Sequence, residues 1–227
     1  MRHAILRSWG DVTVFCKLAK QNHPMPLYKD LSDDVATILI WEYNPDEELN
    51  AHILLEPENQ NKILNYHPNK IAEVLMVRKM LKSVLPDHKI LYKEDGEPYL
   101  FPNDLQISVS HSFPLAGLAI SKNKIGIDIE KRKDKIKNIR HKFILHENDF
   151  IDDAEEVDFL TAIWCVKEAL YKIHHSKHWS LKKHYDVLPF ELREKLSVKC
   201  RVYDDENEDF FKAKINFFDN YCFAVVD

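Results

Sequence analysis

Lys124-Ile125-Gly126-Ile127-Asp128-Ile129-Glu130 alternates isoleucine with Gly126, Asp128 and Glu130, the period of a strand with one dry and one wet face. Gly126, Asp128 and Glu130 therefore share a face. Two residues along a strand separate the carboxylate-bearing Cα atoms by about 6.5 to 7 Å, so both side chains can converge on one point. Uncompensated, the two charges repel, and a divalent cation relieves them. Gly126 lets a ligand or a backbone come close on that face. Taken alone, the Asp-x-Glu pattern describes a solvated strand face before it describes a metal site.

A second stretch, Trp164-Cys165-Val166-Lys167-Glu168-Ala169-Leu170-Tyr171-Lys172, changes that balance. On a helical wheel Phe159, Leu160, Ile163, Trp164, Val166, Leu170 and Ile173 form a broad apolar arc, which predicts a helix over Asp158 to Ile173 buried on one side. Glu168 lies at the arc's edge and Lys172 one turn beyond it, a spacing that by itself gives only an ordinary surface pair. Lys167 falls inside the arc, where a lysine must snorkel out or meet an anion. Carboxylates at 128, 130 and 168 with ammonium groups at 167 and 172 suit Mg²⁺ and a phosphate ester, since Mg²⁺ takes oxygen ligands and lysines neutralise the remaining phosphate charge. The combination points to phosphoryl-group chemistry.

Gly126-Ile-Asp-Ile-Glu130 followed by Trp164-Cys-Val-Lys-Glu-Ala-Leu-Tyr-Lys172 resembles the signature pair of the 4′-phosphopantetheinyl transferases, in the double-length type that activates surfactin synthetase and related enzymes. Ile107-Ser108-Val109-Ser110-His111-Ser112 is similar to a third element of that family, and the resemblance covers roughly residues 36 to 227. It implies two pseudo-two-fold related α+β halves with coenzyme A and Mg²⁺ in the cleft between them. The implied reaction moves the phosphopantetheine arm of coenzyme A to a serine of an acyl or peptidyl carrier protein and releases adenosine 3′,5′-bisphosphate. By the same resemblance Asp128, Glu130 and Glu168 match the Mg²⁺ ligands, and Lys172 meets the coenzyme A diphosphate. Lys167 stands where a lysine contacts the reacting phosphate, and Ser110 and His111 touch the phosphates of the nucleotide end. Glu168 is the first candidate for the base that accepts the serine proton, Glu147 the second, and a metal-bound water the third.

Two departures from the family stand out. Its usual Gly-Lys-Pro is Gly96-Glu97-Pro98 here, an anion in place of a cation. The helical region normally rich in Lys and Arg facing the 3′-phosphate keeps only Lys62 and Lys70. Both motivate the alternative of a non-catalytic homologue that binds carrier protein or coenzyme A. A Mg²⁺-dependent phosphohydrolase using the same carboxylates is a third reading.

With 227 residues and 45% hydrophobic content the chain can bury a proper core. A net charge of −5 argues against a general polyanion binder, so no nucleic-acid partner is expected. Four cysteines without C-x-x-C pairing, and no signal-type apolar core in Met1 to Phe15, predict a reduced, cytoplasmic protein. No apolar run approaches a membrane span. The family's double-length members lead to the expectation of a monomer. Only four glycines occur, too few for a P-loop or a dinucleotide fingerprint.

Outward from the signatures, Ala4 to Leu18 reads as a hairpin broken at Gly10-Asp11 and Asn22 to Pro26 as a loop. Ala36 to Tyr43 is a strand, and Asn61 to Leu85 is helical, interrupted near Pro68 and closed by Pro86. Asp95 to Pro98 is a turn. Gln106 to Ser110, Leu115 to Ser121 and Lys124 to Glu130 are strands, and Ser197 to Tyr203, Phe210 to Phe217 and Tyr221 to Val226 an antiparallel meander. The fold class is α+β. Nine of ten prolines lie at or before Pro114, which agrees with halves at 1–120 and 121–227, the first 35 residues lying outside the resemblance. Lys131 to Phe150 is a charged amphipathic region whose basic start, Lys131 to Arg140, is either a solvated face or, as in the family, a dock for an acidic carrier. His174, His175 and His178 read as a polar helix end, although in a helix 174 and 178 would stand one turn apart, a spacing that can bind a transition metal.

Overall fold

The computed structural model describes residues 27–178 and 180–227, so the expected hairpin at 4–18 and loop at 22–26 lie outside the described residues. Strands β1 (Leu27–Asp30) and β2 (Ala36–Glu42) come first. Short helices α1 (Ala51–Leu54) and α2 (Pro57–Ile63) lead into the long α3 (Pro68–Val84), and β3 (Lys89–Tyr92), β4 (Pro98–Phe101), β5 (Gln106–Ser112) and β6 (Leu115–Ser121) follow. Beyond them run β7 (Gly126–Lys131), α4 (Glu156–Ile173), α5 (Leu181–His184), β8 (Tyr185–Val187), β9 (Lys195–Tyr203), β10 (Glu208–Phe218) and β11 (Tyr221–Val226).

Two antiparallel sheets are built, ordered β1-β2-β6-β5 and β7-β11-β10-β9-β8, with β3 and β4 as a separate hairpin. Pro68 opens α3 at a position where its missing N–H costs nothing, and the helix stops at Leu85, before Pro86. Met76, Val77, Met80 and Leu81 of α3 pack on Leu39, Trp41, Ala116 and Leu118 of the first sheet. Leu160, Ile163, Val166 and Leu170 of α4 pack on Val198, Ala213 and Ala224 of the second. Ile38, Ile40 and Ala119 meet Ile127, Ile129 and Phe223 between the sheets. The order of layers is thus helix, sheet, sheet, helix, an α+β architecture, in which each fully buried Leu, Ile or Val contributes about 1.5–3 kcal/mol. No helix among the described residues is long and apolar enough to cross a membrane.

One expectation about β7 is overturned. Its isoleucine face is dry, as read, but the Gly126 face is not wet: a Cβ on Gly126 would lie 2.1 Å from the Ala169 carbonyl oxygen and 2.6 Å from Ile173 Cγ2. The glycine admits the backbone of α4, and Asp128 is buried with it. The charged amphipathic region between 131 and 150 is built as two 3₁₀ segments, Asp134–Lys142 and His146–Asp149. The β3–β4 hairpin surrounds the predicted turn, with Gly96 at φ 85°.

Candidate functional site

The site is assembled along the seam between the sheets. The N–H groups of Ile127, Ile129 and Lys131 lie on the edge of β7 away from β11, and an unpaired edge must find acceptors. They find the hydroxyls of Ser108, Ser110 and Ser112, which alternate on one face of β5, at 3.0, 3.1 and 3.1 Å. The hydroxyls then donate onward: Ser110 to Asp128 Oδ1 at 2.7 Å and Ser112 to Glu130 Oε2 at 3.2 Å. A serine every second residue therefore both joins the two sheets and orients the two strand carboxylates.

Glu168 reaches the same place from α4. Burial first, then the charges of Asp128 and Glu168, push the Glu130 carboxyl up to about 7, against hydrogen bonds from Ser112 and Trp164. Burial and Asp128 push Glu168 up to about 6, against Lys172. Glu130 and Glu168 thus each feel the charge of Asp128. Lys172 Nζ donates to Asp128 Oδ1 at 2.9 Å and to the Ile127 carbonyl at 2.7 Å, binding the helix to the strand edge. Asp128 Oδ2 is buried with no hydrogen-bond partner. A buried orphan oxygen among mutually repelling carboxylates fits a hard divalent cation.

On the other face of β5, His111 turns toward α3, its Nδ1 lying 3.2 Å from Glu73 Oε2 while its Nε2 meets Lys70 Nζ. Burial, the largest influence, and Lys70 lower the His111 pKa, and Glu73 opposes them. Lys62, Lys70 and His111 line one cavity of about 530 Å³ together with Arg78 and Lys93. A neighbouring cavity of about 390 Å³ is lined by Glu97, Ser108, Tyr171, Lys172 and Lys177, and Gly96, Pro98 and Val109 border both. The structure so places His111, Lys62 and Lys70 on one cavity and Lys172 on its neighbour, whereas Ser110 is buried, lines neither and donates to Asp128.

Lys167 is the correction. Expected at the reacting phosphate, it is fully buried, with Nζ 2.5 Å from Glu147 Oε1 and donating to the Phe143 carbonyl at 2.6 Å. Burial lowers its pKa, and Glu147 works against that. Glu147 is itself fully enclosed and accepts from the N–H groups of Leu145 and Val187. The anion that the apolar arc required for Lys167 is this carboxylate, so the pair ties the 3₁₀ segments to α4 and leaves Nζ committed to Glu147 and the Phe143 carbonyl.

Four contributors escaped sequence reading. Glu73 and Arg78 lie on the buried side of α3, where only their charge in an apolar row signals them. Arg78 is held against Tyr92 by a 2.7 Å hydrogen bond. Lys93 and Lys177 both reach Glu97, at 3.1 and 2.7 Å, and pull its carboxyl below the ordinary range against the effect of burial. Among the described residues, the group of three potential ligands drawn within 4.8 Å of one another is His174, His175 and Asp209.

Residues 124–226 match the family model described as the 4′-phosphopantetheinyl transferase superfamily. A curated protein of Aneurinibacillus migulanus, the 4′-phosphopantetheinyl transferase gsp, is 32% identical over 107 residues, which cover 43% of this chain and 44% of that protein. The match thus spans less than half of that relative's length.

Proposed function

On the premise that residues 124–226 belong to the 4′-phosphopantetheinyl transferase superfamily, we propose that the chain transfers the phosphopantetheine arm of coenzyme A to a serine of an acyl or peptidyl carrier protein. The observation that carries this reading is the buried, unpartnered Oδ2 of Asp128 beside Glu130 and Glu168. Asp128, Glu130 and Glu168 would hold Mg²⁺, which supplies charge neutralisation to a pyrophosphate.

The chain's own residues do the rest. Lys172, fixed to Asp128 and the Ile127 carbonyl, presents an ammonium group to the diphosphate where negative charge builds as the serine oxygen attacks. The new bond joins that oxygen to the phosphorus bearing the pantetheine arm, and the bond to adenosine 3′,5′-bisphosphate breaks. His111, Lys70 and Lys62 line the cavity that takes the nucleotide end, supported by Arg78 and Lys93. Glu168 accepts the serine proton, since the other carboxylate candidate, Glu147, is enclosed against Lys167. The exposed Lys133 and Lys135 start a basic surface for an acidic carrier, whereas Lys137 and Arg140 are already tied to Glu156. The chain works as a cytoplasmic monomer.

The non-catalytic alternative rested on Glu97 and the thinned basic helix, and both have compensation. Lys93 and Lys177 bring positive charge to Glu97, and Arg78 and Lys93 add to the cavity of Lys62 and Lys70. Incubation with coenzyme A, Mg²⁺ and an apo carrier, followed by mass spectrometry, tests the proposal. A carrier heavier by one phosphopantetheine is the expected result. An unchanged carrier overturns it, and coenzyme A breakdown without carrier modification identifies a phosphohydrolase instead.

A further inference from the structure

The C-terminal end of α4 gathers an unusual set of imidazoles. His174 directly follows the helix, its N–H closing on the Leu170 carbonyl, and its side chain is buried against Phe211 at a ring separation of 5.9 Å. His175 lies tilted against it at 4.5 Å, while His178 and His184 stack on each other at 4.4 Å close by. Asp209, near the start of β10, approaches from the second sheet with Oδ2 3.0 Å from His174 Nε2. Helical spacing, which would pair His174 with His178, does not produce this arrangement, because the helix has ended and adjacent histidines turn together toward a strand carboxylate.

We propose that His174, His175 and Asp209 form a binding site for a borderline divalent transition metal of the zinc class. One donor atom from each of the three lies within 4.8 Å of the other two. Tetrahedral zinc with ligands at about 2.0–2.2 Å needs donor atoms roughly 3.3 Å apart, so the observed 3.0 Å between Nε2 and Oδ2 requires little movement. The His174 ring is held in place by Ser176, whose hydroxyl lies 2.6 Å and whose backbone nitrogen lies 3.3 Å from Nδ1, leaving Nε2 directed toward Asp209. Two imidazoles and one carboxylate leave a fourth position for water, and they select zinc-class ions over Mg²⁺, which prefers an all-oxygen shell. Three anchors from a helix end and a strand would fix segment 174–178, on which Lys177 sits. The proposal is independent of the transfer reaction, because neither its residues nor its test involves coenzyme A.

The test is calorimetric titration of untagged protein with Zn²⁺ in excess Mg²⁺, with Co²⁺ substitution read from its visible absorption. The expected result is one zinc per chain, an intense tetrahedral-type cobalt spectrum displaced by zinc, and affinity weakened at least about tenfold in Asp209→Asn and in His175→Ala. Both altered positions are exposed, so these variants leave the core intact. His141→Ala, on the exposed surface elsewhere, should bind as the parent does. Absence of zinc binding, or binding unchanged in both Asp209→Asn and His175→Ala, overturns the site.

Discussion

Lys177 Nζ donates to Glu97 Oε2 at 2.7 Å, joining the segment after α4 to the β3–β4 turn across the mouth of the groove. Position 97 is an anion where the resemblance led to the expectation of a cation, and positive charge reaches it from Lys177 and Lys93. Both side chains are about 30% exposed, which places the pair's worth near ~1 kcal/mol. Lys177→Ala and Glu97→Gln should each raise KM for coenzyme A about fivefold with kcat little changed. The double variant should be no worse than either single one. Additive losses would show that the two act separately.

Gly126→Ala forces a methyl group onto the Ala169 carbonyl and Ile173, both fixed parts of α4. Overpacking of this kind costs about 1–3 kcal/mol and lifts the helix that carries Glu168 and Lys172. Urea unfolding should show the destabilisation, and transfer activity should fall further than the folded fraction explains. A variant as stable as the parent would contradict the close packing of α4 on β7.

Lys167→Met strands the Glu147 carboxylate in a dry pocket, and breaking a buried pair costs about 3–5 kcal/mol. Adding Glu147→Leu should recover part of that loss. KM for coenzyme A, measured on the protein that remains folded, should not move. A selective rise in KM with unchanged stability would return Lys167 to the phosphate.

The crowded carboxylates give a signed pH effect. Glu130 at about 7 and Glu168 at about 6 hold protons more tightly than the same groups at 4.5 in an unfolded chain. The ion-free fold therefore pays nothing below pH 4.5, loses stability as pH rises through 6 and 7, and carries the full penalty above that. Magnesium relieves the penalty, so its elevation of Tm should be small near about pH 5 and larger near about pH 8. Equal elevations at both would contradict the shared ion.

Period and spacing made much of this legible. The Ile125, Ile127, Ile129 alternation identified β7 and its dry face, and the apolar arc from Phe159 to Ile173 identified α4 and its buried side. What could not be read was partner choice, which depends on contacts distant in sequence. Nothing local to Gly126 says that a helix backbone covers it. Nothing local to Lys167 names Glu147, twenty residues earlier on a 3₁₀ segment, as its anion. The serine hydroxyls of β5 show their alternation in the sequence, yet their role appears only when the free edge of β7 lies alongside. Glu97 looked like a lost cation because Lys177, which answers it, is far along the chain.

Anomalous scattering from crystals grown with Mn²⁺ and coenzyme A tests the central claim most directly, since Mn²⁺ accepts the same oxygen ligands as Mg²⁺. One peak bounded by Asp128, Glu130 and Glu168, with the diphosphate against Lys172, is the result this account predicts. A peak elsewhere, or manganese bound without Glu168, would contradict it.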